Sequence, residues 1–274
     1  MTGIRPSLSL FLTPGRPCAY LPGQEECVVF TDPRVPMTAG LYGSLLARGF
    51  RRAGRFVYRP ACDHCRACVP LRLPVGRFAP NRAQRRNLAR NADLRLSEHP
   101  ALFVEEHFAL YVAYLRHRHP GGGMAEQLSP ESYCDYLIQP WGGETQLLEL
   151  RLGDRLVALA VTDRLPRALS AVYSFFDPEL QGRGLGVQAI LRQIGLAQEL
   201  GLDHLYLGYW IGDCRKMAYK EQYRPLQALV GPVWREYPRG QALSLGATAT
   251  GMAPDWRYPK RPSPSSILSP GGPG

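Results

Sequence analysis

The sequence predicts an α/β protein built from two unlike lobes, on three observations. Of its 274 residues, 45% are hydrophobic and 20% charged, the composition of a globular chain long enough for a real core. From about residue 145, three strand-like apolar runs follow one another across short turns, then give way to a glycine-rich turn and a helix-spaced stretch. Before residue 100, arginines and cysteines crowd together.

Residues 1–30 read as irregular, with a short apolar run at Val28–Phe30. In 38–48, Leu41, Leu45 and Leu46 share one helical face. Phe56–Tyr58 and Val69–Val75 read as short strands around a cysteine-rich turn. Asn81 is an N-cap residue for a helix running to about Asn91. Residues 103–119 and 130–138 have helical patterning, parted by Pro120-Gly121-Gly122-Gly123. The meander takes Thr145–Leu152, Arg155–Asp163 and Leu169–Phe176. Its following helix, 185–200, puts Val187, Ile190, Leu191, Ile194 and Ala197 on one face. Leu205–Tyr209 is a further strand, and 214–222 is expected to be helical. The chain divides into a lobe at 1–100, a second lobe at 101–243, and a Pro/Gly/Ser-rich tail at 244–274 expected to be disordered.

Charge narrows the partners. The formal net charge is +10, from 33 basic and 23 acidic residues. The window Arg48–Arg95 holds 13 Arg, no Lys and two acids, Asp63 and Asp93, so +11 sits there and −1 everywhere else. Arginine without lysine suits forked contacts to phosphate, which points to nucleic acid on one face. No run approaches ~18 apolar residues, so no helical membrane span is expected. The N-terminus lacks the basic and apolar regions of a signal peptide. A cytoplasmic protein is expected, its seven cysteines acting as thiols or ligands and not as a disulfide framework.

Three motifs carry chemistry. Gln181-x-x-Gly184-x-Gly186, between a strand and a helix, resembles the Q/R-x-x-G-x-G/A loop of the GCN5-related acetyltransferases. Such a turn lets backbone N–H groups reach phosphate at a helix N-terminus. The resemblance implies an acetyltransferase-like C-terminal lobe beside a smaller Cys/Arg-rich N-terminal lobe. Cys62-x-x-Cys65-x-x-Cys68 gathers three thiols, with Cys18 or His64 as a fourth ligand, for zinc or an iron–sulfur cluster. Small buried residues in a tight turn are the other reading, and Cys27, Cys134 and Cys214 read as packing residues or spare thiols. Arg82, Arg86 and Arg90, spaced i, i+4, i+8 beside Arg85, form a helical stripe that wants a facing anion. Gln84, Asn87 and Asn91 add neutral hydrogen-bonding groups, and an RNA backbone fits the set.

Longer segments join these motifs. Cys18-x-Tyr20-Leu21-Pro22, Gly49-Phe50-Arg51-Arg52 and Tyr58-Arg59-Pro60-x-Cys62-x-x-Cys65-x-Ala67-Cys68-x-Pro70-x-Arg72 come in that order. Gln84-Arg85-Arg86, Arg90-Asn91-x-Asp93-Leu94, Tyr173-Ser174-Phe175-Phe176-Asp177-Pro178, Tyr206-Leu207-Gly208-Tyr209-Trp210 and Arg215-Lys216-Met217-x-Tyr219-Lys220-x-x-Tyr223-Arg224-Pro225 follow. Over residues 10–230 this order resembles the aminoacyl-tRNA–protein transferases of the N-degron pathway, and most of all their bacterial aspartate/glutamate leucyltransferase branch. The resemblance implies transfer of leucine from leucyl-tRNA to proteins beginning with Asp or Glu, marking them for degradation. Eukaryotic relatives carry C-x-x-C near the N-terminus, where this chain has Cys18 followed by Leu21.

The implied reaction is attack of a peptide α-amine on an aminoacyl ester, which runs downhill without ATP. The amine's pKa of ~7.7–8.0 leaves a neutral fraction at pH 7, so proximity and oxyanion stabilisation are the main demands. No cofactor is required. Tyr173, Asp177 and Tyr209 are the catalytic candidates: the tyrosines orient amine or ribose, and Asp177 binds or deprotonates the amine. Backbone N–H groups near the end of Tyr173–Phe176 suit the oxyanion. The acceptor carboxylate asks for cations, and Arg215, Lys216, Lys220 and Arg224, with Tyr219, are the candidate pocket. Arg82, Arg85, Arg86, Arg90 and Arg183 are the candidate tRNA contacts. Each of these residues also has a structural reading as core aromatic, turn former or solvated helix face. Three rival functions stand beside the first: an arginyl-tRNA–protein transferase, an acetyl-CoA-dependent N-acetyltransferase, and an RNA-binding protein on a retired acetyltransferase fold.

Overall fold

The computed structural model describes residues 8–118 and 128–243. The expected break at 120–123 and the expected tail at 244–274 lie outside the described residues. Residues 10–60 supply six strands: β1 (Leu10–Leu12), β2 (Arg16–Pro17), β3 (Glu25–Glu26), β4 (Val28–Thr31), β5 (Arg51–Ala53) and β6 (Phe56–Pro60). The ribbon β2–β3 stands apart, and the others form an antiparallel sheet in the order β1-β4-β6-β5. Its register decides its faces. Phe11, Phe30, Tyr58 and Arg51 sit opposite one another across the four strands and so share one face. Val29, Val57 and Arg52 alternate to the other face and are buried. There the two valines pack with Tyr42, Leu45 and Leu46 of helix α1 (Ala39–Leu46), which Thr38 caps.

The large sheet has eight strands: β7 (Val69–Pro74), β8 (Leu94–Pro100), β9 (Glu144–Leu152), β10 (Arg155–Leu165), β11 (Ala168–Phe176), β12 (His204–Trp210), β13 (Leu226–Val230) and β14 (Val233–Tyr237). They are ordered β14-β13-β7-β12-β11-β10-β9-β8, antiparallel throughout except β11 beside β12. Among the described residues the remaining α-helices are α2 (Arg82–Arg90), α3 (Glu105–Arg118), the single turn α4 (Pro130–Tyr133), α5 (Leu185–Glu199) and the single turn α6 (Arg215–Ala218). Side-chain alternation splits the core between the sheet's faces. Leu148, Ala160 and Leu169 pack with Ile190 and Ile194 of α5, whereas Leu147, Leu159 and Val161 pack with Tyr111 and Leu115 of α3. The meander, glycine-rich turn, helix and parallel strand β12 give the C-terminal lobe its expected acetyltransferase-like arrangement.

The lobes share this sheet. β7, from the expected N-terminal lobe, lies between β13 and β12, and β8 pairs with β9 across the expected boundary at residue 100. The helix expected over 214–222 is shorter than predicted, with α6 giving way to a 3-10 turn at Tyr219–Gln222. In place of the helix end expected at 134–138 the chain makes a π-helical turn, Cys134–Ile138. No described helix is long and apolar enough to cross a membrane.

Candidate active site

β11 and β12 pair only from Ala168↔His204 to Ser170↔Tyr206, then part. Each is bulged at the parting. The β11 register against β10 slips so that Val172 has no partner, and the β12 register against β7 slips so that Leu207 has none. Bulges bend strands and turn backbone groups out of the ladder. The two strands therefore make a fork.

Arg51 of β5 enters it. Its Nη2 donates to the carbonyl oxygens of Val172 and Ala171, the latter at 3.3 Å. Gly208 (φ +74°) forms the other limb, and a Cβ there would overlap the guanidinium, so β12 needs glycine at the closest approach. The adjacent Arg52 points to the opposite face. It forms a bidentate pair with Asp163 of β10, Nε to Oδ2 at 2.8 Å and Nη2 to Oδ1 at 2.7 Å, both side chains fully buried. Thr145 Oγ1 donates to the same carboxylate at 2.7 Å. Arg51 has no such acid: among the described residues no carboxylate forms an ion pair with it. Burial works against its charge, and attraction to the phenolate forms of Tyr58, Tyr136, Tyr20 and Tyr42, which exist only at high pH, outweighs that and leaves its pKa raised. Burial in turn lifts the Tyr20 and Tyr58 hydroxyls above the ordinary phenol value against the pull of Arg51, so they remain protonated.

The catalytic candidates do not share one role here. Tyr173, half-buried on β11, stands 6.0 Å from the Tyr136 ring and 6.5 Å from that of Tyr114, and burial raises its pKa. Tyr209 is buried, and its hydroxyl donates to Gly49 O at 2.9 Å, fastening β12 to the N-terminal lobe. Asp177 ends β11 with both oxygens engaged: Oδ1 accepts the Glu179 N–H at 2.9 Å, and Oδ2 pairs with Arg155. Of the acceptor candidates, Lys220 and Tyr219 are electrostatic neighbours of Arg51. Lys220 is buried and donates to Tyr209 O; burial, with Arg51 nearby, pushes its pKa well below the ordinary lysine value. Arg215 and Lys216 stand exposed on α6. Arg224 is half-buried with Nη1 unpartnered, and burial lowers its pKa.

Arg82, Arg85, Arg86 and Arg90 line the exposed side of α2 as expected. Gln84, Asn87 and Asn91, expected beside them as hydrogen-bonding groups for RNA, are instead buried on the inner side. Gln84 closes a capping box with Asn81. Asn87 Nδ2 donates to Arg183 O at 3.0 Å and Gly184 O at 3.1 Å, and Asn91 Nδ2 to Arg183 O at 2.9 Å. The reason is the turn itself, whose buried carbonyls need donors. Gly184 (φ +64°) lies so close that a Cβ would come within 2.7 Å of Asn87 Nδ2. Arg90 donates to Gly182 O at 2.6 Å, and Arg183 pairs with Asp93 at 2.8 Å. Arg82 and Arg86 pair with no carboxylate among the described residues.

Cys18, Cys62, Cys65 and Cys68 share one neighbourhood. Among the described residues no three His, Cys, Asp or Glu side chains form a group that could hold a metal ion. Burial pushes the Cys68 thiol up to about 12 and raises that of Cys62. Cys18 Sγ accepts the Tyr20 N–H at 3.5 Å, and Cys62 Sγ donates to Cys27 O at 3.7 Å.

Arg51, Tyr20, Tyr58 and Tyr136 are fork residues that sequence reasoning passed over as site residues. Two general signals bear on Arg51 and on Gly208 opposite it, and none on the tyrosines. An Arg-Arg pair in a strand sends its side chains to opposite faces, and a lone glycine inside a strand marks a bulge or close approach.

Comparison with known proteins covers both lobes. A family model described as arginine-tRNA-protein transferase, N terminus, matches residues 16–86, and its C-terminus counterpart matches 106–230. The aspartate/glutamate leucyltransferase of Chromohalobacter salexigens is 47% identical over 83% of this chain and 92% of its own length. That of Thiobacillus denitrificans is 48% identical over 83% and 94%. Among solved structures, L-PGS from Bacillus licheniformis aligns over 62% of this chain and 49% of its own at 13% identity, with a TM-score of 0.40. A likeness that distant says nothing of function. With both family models matched and relatives near half identity along almost their whole length, the chain belongs to the arginine-tRNA-protein transferase family, alongside the aspartate/glutamate leucyltransferases.

Proposed function

We propose that this chain transfers leucine from leucyl-tRNA to the α-amine of proteins that begin with Asp or Glu, in the cytoplasm, as a step of the N-degron pathway. The observation that carries the reading is the near full-length match to relatives of that name, across matched segments that include both limbs of the fork and Arg51. In the reaction the amine lone pair attacks the ester carbonyl. The C–N bond forms, the C–O bond to the ribose breaks, the amine loses a proton and the ribose oxygen takes one. The chain's task is to hold two substrates together and shield the developing oxyanion. Arg82 and Arg86 face outward for tRNA phosphates. The protonated hydroxyls of Tyr173, Tyr20 and Tyr58 supply neutral donors around the reacting ester. An acyl-coenzyme A arm entering the fork would meet the Arg51 guanidinium, which disfavours the acetyltransferase alternative.

The test offers the purified chain labelled leucyl-tRNA, arginyl-tRNA and acetyl-coenzyme A in parallel, each with a peptide beginning with Asp. Label passing from leucyl-tRNA alone is the expected result. Arginyl-tRNA serving instead keeps the chemistry and changes the donor. Acetyl transfer, or tRNA binding without transfer, overturns the reading.

A further inference from the structure

We propose that Arg51 is the binding site for the acceptor's side-chain carboxylate, and so the residue that selects acidic N-termini. The inference rests on the reading that the acceptor begins with Asp or Glu.

Two adjacent arginines meet opposite fates. Arg52 is buried against Asp163, with that carboxylate further satisfied by Thr145. Arg51, drawn partly out of water in the fork, has carbonyl oxygens on Nη2 and no hydrogen-bond partner on Nε or Nη1 among the described residues. Carbonyl dipoles orient a guanidinium without cancelling its charge, and a desolvated charge calls for an opposite one. The nearby chain does not provide it. Glu26, the acid that faces Tyr20 and Cys68, is taken by Arg16 at 2.6 Å. The tyrosine hydroxyls around Arg51 are neutral donors, able to hydrogen-bond an anion and unable to replace one. Lys220, the other amine in reach, has its proton affinity lowered by burial and by Arg51 itself, so it is a weak rival for an acid.

The missing partner is therefore an anion brought by substrate. A carboxylate matches the planar fork of an arginine and accepts from the surrounding phenols at the same time. Phosphates already have an outward-facing alternative in Arg82 and Arg86, on a different element from the fork. With a side-chain carboxylate seated on Arg51, an acceptor's α-amine stays within one residue of the fork.

The test uses the full chain, unmodified and as Arg51→Met and Arg51→Lys, with saturating leucyl-tRNA. The acceptors are peptides identical but for a first residue of Asp, Glu, Asn or Gln. Arg51→Met is expected to lower kcat/KM for Asp and Glu acceptors about 100-fold, the scale of losing one partner of a buried charge pair. The Asn and Gln rates should stay at their wild-type level, and tRNA affinity should not change. Arg51→Lys should keep part of the preference for Asp over Asn. An equal fall for Asp and Asn, an unchanged preference, or a loss of tRNA affinity would overturn the assignment, the last by making Arg51 a phosphate contact. If the variants do not fold, phenylglyoxal modification of the wild-type chain decides. Protection of Arg51 by the Asp peptide and not by the Asn peptide is expected, and equal modification contradicts it. A wild-type chain that transfers nothing from any tRNA defeats the parent reading alone, because the protection experiment needs binding and not transfer.

Discussion

At the residue scale, Arg52 and Asp163 tie β5 to β10 where no water reaches. Asp163→Ala leaves that arginine buried without its acid, and a loss of about 3–5 kcal/mol in urea unfolding is expected. Tyr209 gives a second residue-level prediction. Its hydroxyl serves Gly49 O, so Tyr209→Phe should lower stability by about 1 kcal/mol while changing kcat little; a collapse of kcat at unchanged stability would instead give it the catalytic role that its place in the sequence suggests. Lys220 gives a third. Its folded pKa is depressed, so between that value and ~10.4 the unfolded chain holds a proton that the folded chain lacks. Stability should then rise with pH through that window, by up to about 1.4 kcal/mol per pH unit, and Lys220→Met should flatten the rise. The site was only partly legible at this scale. Tyr173, Tyr219 and Lys220 are visible in sequence because they sit in aromatic and basic runs. Arg51 is hidden, since it is one of 13 arginines in its window and differs from Arg52 only in which face of β5 it leaves.

At the element scale, α2 has two working sides. Arg82 and Arg86 face outward, where they can meet phosphate, and its inner amides hold the glycine-rich turn. Replacing Arg82 and Arg86 together by Ala should reduce the salt dependence of tRNA binding by about two units of slope. Asn87→Ala should instead destabilise the fold by about 0.5–1.5 kcal/mol, by removing the amide's hydrogen bonds to the carbonyls of Arg183, which keeps Asn91 as a donor, and Gly184, which keeps the Val187 and Gln188 N–H groups. A salt slope that moves in Asn87→Ala and not in the arginine variant would reverse these assignments. Helices and meander strands are legible because their apolar period runs over eight or more residues. Strands β1, β2, β3 and β5 have two or three residues each, too few to show a period. The hairpin β13–β14 had its signal in Gly231-Pro232, a turn pair between apolar residues.

At the scale of the whole molecule, the fork gathers residues from positions 20, 51, 58, 136, 173 and 208, and no window of sequence contains them together. Their meeting depends on one parallel pair that parts after three registered residues and on an N-terminal strand lying across it. The division expected at residue 100 reflects a change of composition, from arginine- and cysteine-rich to meander, and not a change of sheet. β7 of the first matched segment lies in the sheet that the second builds, and Arg51 of the first reaches carbonyl oxygens of β11 in the second. The most direct measurement is a mass spectrum of an Asp-initiated peptide after incubation with the wild-type chain and a mixture of leucyl- and arginyl-tRNA. Addition of one leucyl residue, fragmenting to the α-amine, is predicted. An unmodified peptide, or leucine found on a lysine side chain, would contradict the account.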